Sequence, residues 1–60
     1  MKAYKGIILS ETNPVPGYSI SGVLVDGRCI KTSVVIAVHL ISYGEFMVET
    51  ANSYYVVKVD

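Results

Sequence analysis

Residues 34–41, VVIAVHLI, put seven apolar side chains into eight positions of a 60-residue chain. A segment this apolar demands burial. Val34, Val35, Ile36, Val38 and Ile41 are branched at Cβ, and branched side chains lose rotamer freedom in a helix. Ser33 stands where a helix cap would, but no Glu or Gln follows three residues later to complete a capping box. The run is therefore expected to be a strand over 34–42. A continuous apolar pattern is that of a strand covered on both faces, in the middle of a sheet. A 60-residue domain buries only about 60% of the surface its unfolded chain exposes. The expectation that follows is one β-rich domain over residues 1–60, with its core completed by a second copy.

Composition supports that expectation. Hydrophobic residues make up 52% and charged residues 17%, with a mean hydropathy of +0.47, so little charge is left to cover a large surface. Cys29 is the lone cysteine, which removes any disulfide within the chain and fits a reducing cytoplasm. The five basic residues (Lys2, Lys5, Arg28, Lys31, Lys58) are scattered and balanced by five acidic ones. A phosphate-backbone binder needs a positive field, so nucleic acid is disfavoured as a partner. The stretch after Lys2 and Lys5 is too short for a signal-peptide core, and the run at 34–41 falls far below the ~18 apolar residues of a membrane span. The expected location is the cytoplasm.

Turn signals recur every eight to ten residues, the rhythm of an all-β chain. Strands are expected over 2–9, 18–25, 28–32, 34–42, 45–50 and 53–59. Residues 10–17, SETNPVPG, form the one sizeable loop. Asp26-Gly27 is a hairpin signal of the type I′ kind, which would set Val25 opposite Arg28 and Val23 opposite Ile30. Ala51-Asn52 marks another tight turn, with asparagine suited to the left-handed region. Over 45–50, Phe46, Val48 and Thr50 alternate with Glu45, Met47 and Glu49. Over 53–59, Tyr54, Val56 and Lys58 alternate with Tyr55, Val57 and Val59. Gly6 and Gly22 interrupt strands, as glycines do at bends and bulges. Five or six short strands imply a small curled antiparallel sheet, or a barrel of SH3-like or OB-like size. The closing strand is apolar on both faces and, if it lies at an edge, is a natural place for a second copy to pair.

The chemistry-bearing residues are few. His39 lies inside the apolar run, where it reads as a buried or interfacial hydrogen-bonder, because a catalytic histidine needs a nucleophile or carboxylate to work with. Arg28 could activate Cys29, but the alternation in RCIKT turns Cys29 toward the core or a subunit contact. One cysteine and one histidine without ligand spacing do not make a metal site. Gly22 and Gly27 have the spacing of a phosphate loop but lack its Lys-Ser/Thr. No catalytic residue, cofactor or metal is assigned. Five tyrosines carry more information, since tyrosine is enriched at interfaces and stacks on bases. The candidate interface residues are Tyr18, Ile36, Val38, His39, Tyr43, Tyr54, Tyr55 and Val57. The loop at 10–17 is a further candidate for partner contact.

Ile30-Lys31-Thr32-Ser33, and the stretch from Val48 through Thr50, Ala51, Asn52, Ser53, Tyr54 and Tyr55 to Val56, resemble the ends of short β-rich accessory proteins of bacteriophages and mobile elements. The resemblance covers the second half of the chain and is mostly turn chemistry. It implies a compact β fold, frequent homo-oligomerisation and action by binding, as in phage anti-defence inhibitors. It implies no active-site residue. The expected function is a non-enzymatic, homo-oligomeric binding protein that inhibits or regulates a host protein. The alternative is a small OB-like or SH3-like module for nucleotides or single-stranded nucleic acid. A third is an oligomer that sequesters a small signalling molecule between subunits.

Overall fold

The computed structural model describes residues 2–59. It is all-β, with six strands: β1 Ala3–Ser10, β2 Ser21–Leu24, β3 Cys29–Lys31, β4 Val35–Ser42, β5 Glu45–Thr50 and β6 Ser53–Val59. They form one sheet in the order β3-β2-β1-β6-β5-β4. All six expected strands are present, and the apolar run is a strand. The sheet is mixed rather than antiparallel, because β1 and β6 pair in parallel at its centre. Every other ladder is antiparallel. Hairpin reasoning sees only neighbours in sequence, and this pair joins the first strand to the last.

The sheet is open, in that β3 and β4 share no ladder, but it cannot be flat. Only residues 32–34 separate β3 from β4, at opposite ends of the strand order. Four Cα steps span at most about 15 Å, whereas five interstrand spacings in a flat sheet are about 24 Å. The sheet therefore curls, and the chain measures 26 × 23 × 18 Å. Residues 17–20 bridge the two edges at one end. The Thr32 N–H donates to the Ile20 carbonyl (2.8 Å), while the Val35 N–H donates to that of Tyr18 and the Gly17 N–H to that of Val35 (both 2.9 Å). The Ile20 N–H donates in turn to the buried Thr32 hydroxyl (3.0 Å).

The core fills the concave side: Ile8, Ile20, Val35, Val48, Tyr55 and Val57, with Leu24, Ile30, Val38, Phe46 and Val59 packed around them. The expected alternation in β5 and β6 is what the fold uses. Phe46, Val48 and Thr50 face inward with Tyr55, Val57 and Val59, and Met47, Tyr54 and Val56 face outward.

The turns differ from expectation in an instructive way. Asp26 does not have positive φ, which a type I′ turn requires at both central positions. Instead the Gly27 N–H donates to the Leu24 carbonyl (2.9 Å), Gly27 alone is left-handed (φ 94°), and the loop has three residues. The register moves by one, to Val23 opposite Cys29 and Gly22 opposite Ile30. At the tip, the Asp26 carboxylate accepts the Arg28 backbone N–H (3.1 Å) and its Nε–H (2.8 Å). The backbone bond, and then the guanidinium beside it, hold the Asp26 carboxyl below its ordinary value.

Asn52 likewise avoids the left-handed region. The turn between β5 and β6 is held by Thr50. Its buried hydroxyl accepts from the N–H groups of Ser53 (3.0 Å) and Asn52 (3.3 Å) and donates to the Ser53 carbonyl (3.0 Å). Thr50→Val leaves these partners unsatisfied at a cost of about 1–3 kcal/mol. For a domain this size that is a fall in Tm of at least ~4 °C, read by thermal unfolding.

Gly6 has φ 131° and sits at a bulge, where the register with β6 shifts between Tyr4 and Gly6. Gly22 is not a bend. It is a close approach, where β2 lies tight against Ile8 and Leu9.

Candidate interaction surface

Two features lie outside the core: the convex face of the sheet and the free side of β4. The convex face follows from the register. Paired residues share a face, so the pairs Leu9 with Lys58, Ile7 with Val56 and Tyr4 with Tyr54 set three rows across β1 and β6. The middle row continues through Met47 on β5 to His39 on β4. Ile7, Val56 and Met47 are half-buried and His39 is exposed, so this row is an apolar band ending in an imidazole. Ion pairs flank it, Lys2 with Glu49 on one side and Lys58 with Glu45 (3.8 Å) on the other.

These two pairs and that of Arg28 with Asp26 occupy six of the ten charged side chains. The basic groups are thus mostly neutralised in place and form no positive stripe.

The free side of β4 overturns the central position expected for residues 34–41. β4 is an edge of the sheet, and β6, the strand considered as a possible edge, lies between β1 and β5. Burial along β4 falls off quickly. Val35 is buried, Ala37 and Val38 are half-buried, and residues 39–42 are exposed. Ile36 is 53% exposed, Leu40 69% and Ile41 52%. Tyr43 at the following turn is fully exposed. Leu40 pairs with Phe46 and so faces the open end of the concave side, where Tyr43, Phe46, Val59 and Asn13 line a cavity with it.

The candidate interface residues divide accordingly. Ile36, Val38, His39 and Tyr43 gather along β4 and its turn. Tyr54 lies on the convex face beside Tyr4, and Tyr18 is exposed on the bridging segment. Tyr55 (8% exposed) and Val57 (0%) belong to the core instead, because the even spacing of β6 sends them inward with Ser53. Val57 abuts Ile8 in register and cannot present a surface. Leu40 and Ile41 were missed by sequence reasoning. The signal for them was the same apolar run, misread as an interior strand.

Cys29 is exposed on β3, not turned to the core, and pairs with Val23 on the outer face. It sits on the opposite edge strand from His39. Among the described residues, no three His, Cys, Asp or Glu side chains converge on one point. The loop at 11–20 lines a shallow cleft through Thr12, Asn13, Pro14, Val15 and Tyr18, and its start is fixed by the Ser10 hydroxyl donating to the Thr12 carbonyl (2.8 Å).

No family model matches the chain, and comparison with curated proteins and with solved structures found no match.

Proposed function

We propose that this chain is a non-enzymatic, self-associating β-sheet protein that acts by binding another protein. The observation that carries the reading is the edge position of β4. The most apolar stretch of the sequence ends as an exposed strand with one side unpaired. Among the described residues eleven large apolar side chains are exposed, and five of them fall within residues 34–43: Val34, Ile36, Leu40, Ile41 and Tyr43. Exposed apolar strands at sheet edges are pairing templates, and natural proteins protect them when they are not used. Light scattering is expected to give a dimer or higher oligomer at micromolar concentration. A folded monomer at 100 micromolar overturns the reading. So does turnover that survives purification and is lost on mutating His39 or Cys29.

The narrower reading, a phage- or mobile-element-encoded inhibitor or regulator of a host protein, draws its support from the turn chemistry of the second half. Its test is capture of a partner from host lysate, followed by reconstitution of the pair from purified components. A second reading, a module for nucleotides or single-stranded nucleic acid, is favoured by one observation. Tyr4 and Tyr54 lie side by side on the convex face, as a stacking platform would. Titration with short oligonucleotides and free nucleotides at low salt decides it, and no binding at tens of micromolar ends it.

A further inference from the structure

We infer that the partner of the β4 edge is the β4 edge of a second copy, paired antiparallel about a two-fold axis that passes through His39. The inference rests on the self-association proposed above and specifies its geometry.

The free length of the edge sets the centre. At Val35 the outward backbone groups are already taken, the carbonyl by Gly17 and the N–H by Tyr18. The strand ends at Ser42. The window left open is therefore 36–42, and its midpoint is His39. An antiparallel pair about His39 sets Val38 opposite the partner's Leu40, within the stretch 37–40 that keeps regular register with β5. Opposed residues must share a face. Val38 and Leu40 do, since they pair with Val48 and Phe46 on the concave side. Moving the axis one residue to Val38 would set Val35, whose edge groups are occupied, against the partner's Ile41.

The chemistry also selects a copy of the same strand. Natural edges are guarded by charge, proline, bulges or shortness. The eight residues of β4, VIAVHLIS, contain no charged residue and no proline, and its register irregularities lie toward its ends, between Val35 and Ala37 and between Leu40 and Ser42, with 37–40 in regular register between them. Self-pairing therefore sets no like charges against each other. The other edge is guarded: β3 has three residues and carries Lys31. Head-to-tail pairing of β4 with a partner's β3 would thus be short, which favours the closed two-fold dimer over an open chain. A standard interface takes about 800 Å² from each partner, about a fifth of this 4027 Å² surface. Residues 34–43, where the exposed apolar side chains concentrate, supply apolar contact on both faces of the joined strands.

The test is cross-linking in a Cys29→Ser background. At the axis, His39→Cys sets two Cα atoms about 4.5–5.5 Å apart, within the ~4.4–6.8 Å a disulfide accepts. Ser42→Cys sets its pair about 20 Å apart, six residues along the strand at ~3.4 Å each. Under oxidised glutathione, His39→Cys is expected to give disulfide-linked dimer at least tenfold faster than Ser42→Cys. A second readout uses charge. His39→Lys alone and His39→Glu alone should each weaken dimerisation at least tenfold in sedimentation, and an equimolar mixture should restore it. His39 is exposed, so the fold tolerates these changes. Faster linking at Ser42 overturns the inference. So does a chain that stays dimeric by light scattering yet neither links at His39 nor responds to charge there, an outcome that leaves self-association standing. A monomer overturns both.

Discussion

Val57→Asp abolishes folding, and Ile36→Asp does not. Both are apolar residues of the same β-sheet, and sequence alone treats them as equivalent candidates for an interface. Val57 is fully buried in β6, next to Ile8 in register and across from Phe46. Removing its side chain from the core forfeits about 1.5–3 kcal/mol of burial. Placing a carboxylate there adds a desolvation penalty of several kcal/mol, whether the group ionises or shifts its pKa to stay neutral. A 60-residue core supplies on the order of 3–5 kcal/mol in total. The variant is therefore expected to show no cooperative thermal transition and a collapsed spread of amide proton shifts. Ile36 is half-exposed on the edge strand. Its aspartate is solvated, so circular dichroism should match the parent protein while light scattering shifts toward monomer. A cooperatively folded Val57→Asp variant would mean that the core has been misplaced.

Gly22→Val detaches the hairpin of β2 and β3 from the sheet. A Cβ at this position would stand 2.6 Å from Ile8 Cγ2 and 2.6 Å from the Leu9 carbonyl oxygen. The first contact could ease by a rotation if Ile8 were free to turn, but Ile8 is wholly buried. The second is backbone, paired in the ladder that joins β1 to β2, and has nowhere to go. Replacing a strand glycine ordinarily helps by about 0.4–1 kcal/mol through the unfolded chain. Overpacking costs about 1–3 kcal/mol and sometimes more, so the sign here is destabilising even for alanine. Valine, larger and branched, should lose the β1–β2 ladder altogether. Hydrogen exchange is expected to show amides 21–31 unprotected while 45–59 keep most of their protection. Equal protection across both segments would contradict the close packing at Gly22.

Most of the architecture was legible along the chain, because local patterns specify it. The alternation of Phe46, Val48 and Thr50 against Met47 and Glu49 fixes which face of β5 is buried. The same holds for Tyr55 and Val57 against Tyr54 and Val56. What could not be read was the order of strands. Apolar runs report the need for cover without saying what supplies it. Residues 34–41 have the composition of an interior strand and lie at an edge, while Ser53–Val59 carries Lys58 and lies inside. That exchange follows from the parallel pairing of β1 with β6, a contact between residues with no turn chemistry between them to announce it. The hairpin at Asp26-Gly27 was legible as a turn but not in its loop length. The register depended on whether Asp26 took positive φ, and Asp26 is instead engaged by Arg28. The surface at β4 was visible as a set of residues, but its exposure followed only once its place in the sheet was known.

The central seam has a consequence for how the protein comes into being. Ala3 pairs with Ser53, fifty positions later in a chain of sixty. Loops of that length must close before either half gains its neighbour, and folding dominated by such distant contacts is slow. During synthesis, β1 waits beside an unfinished chain until the closing strand has left the ribosome. Until then β1-β2-β3 and the hairpin of β4 and β5 lack the strand that joins them, and β4 is already exposed. The moment of greatest vulnerability to wrong pairing is thus before the seam closes, which makes the docking of β6 against β1, rather than any single turn, the event that commits this sequence to its fold.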